Sequence, residues 1–287
     1  MNHTRKQFLV FVSIAATVIA LAGCTPQQRL PARICPGKSS VQESLAALKA
    51  RREIAPPFRA TGQCVLQYSL EGKEHKENFP VKLWVNPPLE LYLQGDVAFD
   101  AAGLVLGSNE NEFWLRLKPK EISACWQGRW SDAADAKKIA ANPRVALEAF
   151  GLVDVNDGDW SLACDDSFDI LTRRNEQAVV LKRIYISKCE YLVSKIEYLN
   201  ADGEIAASAL FDDYKPVADG FLVPGLIEVI VREKDGSRSS ANLKFDSVKA
   251  AKFTEQQRRR LFVKPGTRGL THVYQVIGDD IVELVQE

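Results

Sequence analysis

Signatures of catalysis and of metal or nucleotide binding are what this chain lacks. It has no G-x-S-x-G elbow, no phosphate-binding loop, no H-E-x-x-H pair and no dinucleotide fingerprint. The three histidines, His3, His75 and His272, are scattered and have no ligand spacing to cysteine, and no two cysteines stand as C-x-x-C. Zinc binding is therefore not expected, and no metal or cofactor is. An excess of charge is also missing, since Lys+Arg and Asp+Glu stand at 37 each. Such a balance gives no electrostatic footprint for nucleic acid, and none is expected as a partner. Long hydrophobic runs are absent too: the apolar stretch from Phe8 to Ala20 is too short and wrongly flanked for a membrane-spanning helix. The overall hydrophobic content, 46%, is nevertheless ordinary for a globular protein with a true core.

What the chain does have begins at its N-terminus. Arg5 and Lys6 precede the apolar stretch, and Leu21-Ala22-Gly23-Cys24 follows it, the order of a secretory signal. The last four residues resemble the lipobox of bacterial lipoproteins. That resemblance implies cleavage after residue 23, diacylation of the Cys24 thiol and acylation of its new amino group. Two or more acyl chains give stable anchoring where one does not. Thr25 follows Cys24 in place of an aspartate, so the expected location is the outer membrane, facing the periplasm.

Removal of the signal takes Arg5 and Lys6 with it and leaves a slightly acidic chain. Five cysteines then stay available, Cys35, Cys64, Cys125, Cys164 and Cys189, and an odd number leaves at least one thiol free. Cys164 and Cys189 flank a hairpin-like stretch and are the favoured bridge. Cys64 and Cys125 lie in strand-like sequence and read as small buried hydrophobes.

Residues 24–39 carry prolines, paired glutamines and few large apolar side chains, which reads as a tether. Ser40 caps a helix reaching about Arg52, with Val41, Leu45 and Leu48 on one face, and Pro56-Pro57 ends it. Period-two strands then follow: Phe58 to about Leu70, Phe79–Val85, Leu89–Gln94, Val97–Leu106, Glu112–Leu117 and Glu121–Trp126. Residues 131–150 are rich in Ala, Lys and Glu and read as a helical insertion kinked at Pro143. Strands resume at Phe168–Arg174, Ala178–Ser187, Tyr191–Leu199, Ile205–Tyr214, Leu226–Glu233 and Ser239–Val248. Strands in series without intervening helices form antiparallel meanders. Asp154 to Asp159 only superficially resembles a calcium loop, and the pairs Asp165-Asp166 and Asp212-Asp213 read as turn and capping residues. Residues 255–287 form a C-terminal extension.

Several segments together are similar to the LolA/LolB superfamily of bacterial lipoprotein carriers and receptors. They are Leu45-Ala-Ala-Leu-Lys-Ala, Phe58-Arg-Ala-Thr-Gly-Gln, the run from Phe79 through Gly95, Asn109 to Leu117, Tyr198 to Gly203, and Asp212 to Val217 with Val223-Pro-Gly. The resemblance covers roughly residues 40 to 250. It implies an α+β fold over 40–254, a strongly curved antiparallel sheet (an incomplete β-barrel) with helices covering its concave side. It also implies a cavity that accepts acyl chains or a lipidated protein, and it carries no catalytic residues. The extra length, the cysteines and the arginine-rich tail depart from that pattern.

The function expected is therefore non-enzymatic: a lipid-anchored envelope protein in lipoprotein sorting or lipid transfer. Trp84, Leu91, Leu93, Phe99, Phe113 and Leu115 are the expected cavity residues. Alternation sends Leu91 with Leu93 and Phe113 with Leu115 to one face, and Trp114 to the other. The alternative is a structural or sensory envelope lipoprotein that binds a protein partner through the same fold.

Overall fold

The computed structural model describes residues 35–70, 72–97, 100–119, 122–132, 147–148, 150, 152–155, 158–232, 236–278 and 280–285. Helix α1 spans Val41–Glu53. A first meander follows: β1 (Phe58–Leu70), β2 (Lys73–Asn86), β3 (Glu90–Val97), β4 (Asp100–Ser108), β5 (Glu112–Leu117) and β6 (Ala124–Arg129). A second consists of β7 (Asp159–Cys164), β8 (Phe168–Arg174), β9 (Val180–Ser187), β10 (Val193–Leu199), β11 (Ile205–Ala218), β12 (Phe221–Arg232) and β13 (Arg238–Ala250). Helix α2 (Glu255–Leu261) and the hairpin β14 (His272–Ile277) and β15 (Asp280–Glu283) end the chain.

All of these strands lie in one long, curved sheet, in the order β15-β14-β6-β5-β4-β3-β2-β1-β13-β12-β11-β10-β9-β8-β7. The two meanders are joined where β1 pairs antiparallel with β13. At that seam Gly62 sits at a register shift, and a Cβ there would lie 2.0 Å from the Lys244 carbonyl oxygen. Only glycine lets the two backbones approach so closely. The sheet stays open, because β15 and β7 end the strand order without pairing to each other.

Alternation decides which face holds the core. In β2, Phe79, Val81, Leu83 and Val85 are buried while Pro80 and Lys82 between them are exposed. The same core takes in Phe58, Leu91, Leu171, Ile184, Ile186, Ile196, Ala209, Ile227 and Phe245. We refer to this as the inner face. Helix α1 lies against it through Leu48, with Val41 and Leu45 partly buried beside it. The helix begins as its sequence requires, with the Ser40 hydroxyl accepting the Glu43 N–H at 3.2 Å.

Four readings of the sequence are corrected here. The bridge joins Cys35 to Cys189, with their Cα atoms 5.1 Å apart, while Cys164 is a free, exposed thiol on the edge strand. The tether read over 24–39 stops short of its expected end: Cys35 is bonded to the β9–β10 turn, and the Lys38 N–H donates to Asp169 Oδ2 at 2.7 Å. The C-terminal extension is no appendage but supplies α2 and two strands of the sheet, and Cys35–Glu287 forms one compact unit. Strand β7 occupies sequence that carried no strand pattern. Of the helical insertion, Leu147 and Phe150 reach the core, whereas 133–146, with Pro143, fall outside the described residues. Residues 1–34, including Cys24, also lie outside them. Among the described residues no helix is long and apolar enough to cross a membrane.

Candidate functional site

The register of the first meander lines up side chains across the sheet. Leu83 stands opposite Leu93, Leu93 opposite Leu106, Leu106 opposite Leu115, Leu115 opposite Trp126, and Trp126 opposite Tyr274. Directly paired residues share a face, so this is one apolar row crossing β2 to β6 and β14 on the inner face. Leu83 is buried, but Leu93, Leu106, Leu115, Trp126 and Tyr274 are only partly so. At about 4.8 Å per strand the open part runs roughly 19 Å, comparable with an extended long acyl chain. Trp126 and Tyr274 stack at its end, their ring centroids 5.5 Å apart.

Parallel rows flank it. On one side Val85, Leu91, Ser108, Phe113, Gly128 and Val276 are paired in succession, all buried. Phe113 lies on Gly128, where a Cβ would come within 2.5 Å of the ring. On the other side Gly95, Leu104, Leu117 and Ala124 follow one another, with both leucines partly buried and Gly95 and Ala124 buried. The result is an apolar band that is fully buried along one side and partly exposed along the central row and its other side.

Of the expected cavity residues, Leu93 and Leu115 lie in the open row. Leu91 and Phe113 share its face, as their alternation requires, but are fully buried and lie along the buried side. Trp84 is placed differently. It pairs with Tyr92 on the opposite, outer face, with ring centroids 5.8 Å apart, because Leu83 and Val85 on either side point into the core. Phe99 lies outside the described residues. Leu104, Leu106, Leu117 and Tyr274 were not singled out from sequence. Leu104 and Leu106 were legible as one parity of a recognised strand, whereas Tyr274 joins the row only because β14 pairs parallel with β6.

Behind this band, on the outer face, Val105, Trp114 and Cys125 have no exposed surface. The C-terminal segment crosses this face. Arg258 clamps Glu90 through two hydrogen bonds of 2.9 and 3.0 Å, Lys264 reaches Glu112 at 2.9 Å, and Asn109 donates to the Phe262 carbonyl at 3.2 Å. Such a bidentate arginine–carboxylate pair is among the stronger surface contacts. Trp114 lies flat on Gly107, where a Cβ would be 2.6 Å from the indole.

The inner face of the second meander carries a different feature. Glu148 and Lys182, both buried, meet at 2.5 Å, and the Tyr198 hydroxyl also donates to Glu148. Burial, and then the Glu148 charge, push the Tyr198 hydroxyl far above its ordinary range. This arrangement ties the Leu147–Phe150 segment to β9 and β10. Of the acidic pairs, Asp165-Asp166 behaves as a turn pair, the Asp165 carboxylate accepting the N–H groups of Phe168 and Ser167, which lower its pKa, whereas Asp212-Asp213 lies within β11 and is no turn pair. Cys64 and Cys125 are buried free thiols, and burial raises Cys64 to about 12. No group of His, Cys, Asp and Glu suited to a metal ion occurs among the described residues.

No protein-family model and no curated protein matches this sequence. Solved structures do match by shape. A domain assigned to outer membrane lipoprotein sorting, from Vibrio parahaemolyticus, aligns over 75% of this chain and 94% of its own length, with 14% identity and a TM-score of 0.51. A DUF1329 family protein from Desulfovibrio piger aligns over 78% of this chain and all of its own (100%), with 13% identity and a TM-score of 0.50. A LolA superfamily protein from Nitrosomonas europaea aligns over 79% and 99%, with 13% identity and a TM-score of 0.47. At these identities the likeness is one of fold alone: the long, open, curved sheet expected from the sequence is the architecture shared with these structures.

Proposed function

We propose that this chain is a lipid-anchored envelope protein that holds an acyl chain, free or borne by a lipidated protein, along the row from Leu93 to Tyr274. The observation that carries this reading is the row itself: five apolar side chains on five neighbouring strands, aligned on one face and left partly exposed. Each methylene removed from water there contributes about 0.8 kcal/mol. In this reading the inner face is the concave one, and α1 and the Leu147–Phe150 segment belong to its cover. Cys24 is the acylated N-terminus, and the domain works at the outer membrane, facing the periplasm. The fold shared with a domain assigned to lipoprotein sorting supports a role in sorting or lipid transfer. Nothing in that role requires catalysis.

A lipophilic fluorescent probe displaced by fatty acid tests the reading. Wild type should bind the probe, and Leu106→Asp and Leu115→Asp should each lower affinity by about tenfold or more while the far-ultraviolet spectrum stays that of the wild type. A folded wild type that takes up no acyl ligand overturns it. The second reading, an envelope lipoprotein that binds a protein partner, then stands first, because the C-terminal edge of the sheet exposes apolar side chains.

A further inference from the structure

Five of the eight exposed large hydrophobic side chains among the described residues fall at one place: Ile277, Ile281, Val282, Leu284 and Val285. They belong to β15 and its immediate surroundings. Strand β15 hydrogen-bonds to β14 on one side and ends the strand order, so among the described residues no strand pairs with its other edge. Its register sets Ile281 opposite Val276 on the inner face and Val282 opposite Gln275 on the outer one. Each face of this edge therefore carries one exposed apolar side chain beside one carboxylate, with Ile281 37% and Val282 48% exposed.

Proteins usually blunt a free edge with lysine, proline, a bulge or a covering segment. The strand Asp280-Ile-Val-Glu283 is short, 4 residues, and its only charges are the two carboxylates; it has no lysine or proline, and its pairing with β14 runs without a register shift. The opposite edge, β7, differs. Trp160 and Leu162 pack against the core there, and no large hydrophobic side chain of that strand is exposed. Both ends of the sheet are edges, but one keeps its large apolar side chains covered and the other exposes them.

Charge selects the occupant. Asp280 and Glu283, both exposed, bracket the apolar pair. A second copy paired antiparallel about Ile281 and Val282 would set Asp280 of each chain against Glu283 of the other, and like charges directly opposite destabilise a sheet. The same carboxylates disfavour an anionic membrane surface. An extended segment with alternating apolar residues and Lys or Arg at its flanks meets neither obstacle. It gains main-chain hydrogen bonds from the free edge, apolar contacts on both faces and opposite charge at both ends.

We propose that β15 is a docking edge, on which a basic-flanked, apolar, extended segment of another protein adds as a further strand. This is independent of the acyl-binding row. The test uses the full chain in detergent and labelled synthetic peptides of alternating Val and Ile, flanked by either Lys or Glu, read by fluorescence anisotropy. The Lys-flanked peptide should bind about tenfold or more tightly than the Glu-flanked one. Val282→Lys should weaken it by a similar factor without changing the melting temperature, and Asp280→Lys with Glu283→Lys should reverse the preference. Ile277→Lys, at a second exposed position, serves if Val282→Lys does not fold. Absence of binding, equal binding of both peptides, or binding indifferent to Val282→Lys overturns the proposal. So does a wild-type dimer by sedimentation that Val282→Lys splits, because the occupant is then a second copy.

Discussion

On the inner face of β8 to β10, Leu171, Ile184, Ile186 and Ile196 have no exposed surface, whereas on the same face of β3 to β6 Leu93, Leu106 and Leu115 all retain some. The two meanders share one sheet and the same alternation, yet one half is filled and the other is left open. The filled half is closed from above, with Glu148 reaching Lys182 and Tyr198 in its midst. The open half is reinforced from behind, where the C-terminal segment crosses the outer face over buried Val105, Trp114 and Cys125. Burial on the outer face lets the inner face keep apolar surface free without loss of the fold. That surface is the one proposed above to take the acyl chain.

The largest expected effect lies in the filled half. Glu148→Ala leaves Lys182 buried without its partner, which should cost about 3–5 kcal/mol in urea denaturation. Replacing both residues by Met should recover most of that loss. If Glu148→Ala is nearly silent, the Leu147–Phe150 segment is not held as described.

Next in size is a matched pair across the two halves. Ile184→Ala, in the dry core, should lose about 2–5 kcal/mol. Leu106→Ala, in the open row, should lose less, about 1–2 kcal/mol, since its side chain is only partly buried. In the acyl-displacement assay the order should invert, with Leu106→Ala weakening binding and Ile184→Ala leaving the folded fraction's affinity unchanged. Equal stability losses at both sites would erase the distinction.

The smallest effect is one of pH, on the outer face of the filled half. Burial alone would raise the Glu197 carboxyl, but Lys195 at 2.5 Å and the Tyr185 hydroxyl at 3.0 Å, with Arg183 beside them, bring its pKa below the ordinary 4.5. A carboxyl depressed on folding contributes stability that is full above its unfolded value and disappears as pH falls through the folded one. Melting temperatures measured from pH 6 to pH 3 should therefore fall less steeply for Glu197→Gln than for wild type, with the difference opening below about pH 4.5. Parallel profiles would show that the cluster adds nothing to acid stability.

Much of the fold was legible where alternation stood between clear turns. Glu112–Leu117 and Phe168–Arg174 form strands with the bounds read from sequence, and α1 begins after Ser40 as its capping pattern requires. The shared face of Leu91 with Leu93 and of Phe113 with Leu115 followed from period two alone. Trp84 was misplaced because its size outweighed its parity: it falls between Leu83 and Val85, which already claim the core side. The missed elements depend on partners remote in sequence. His272–Ile277 shows little pattern of its own and becomes a strand by pairing in parallel with β6. Cys189 bonds to Cys35, at the far end of the domain's sequence, and no local spacing signals that choice.

The claim that the open row takes the acyl chain is tested most directly by photo-crosslinking. A fatty acid bearing a diazirine near its methyl end, irradiated with the folded protein and mapped by mass spectrometry, reports which side chains it touches. The predicted adducts fall on peptides holding Leu93, Leu106, Leu115, Trp126 and Tyr274, compete with unlabelled fatty acid, and spare Ile184 and Ile196. Adducts concentrated on β8 to β10, or none on a well-folded chain, would contradict the account.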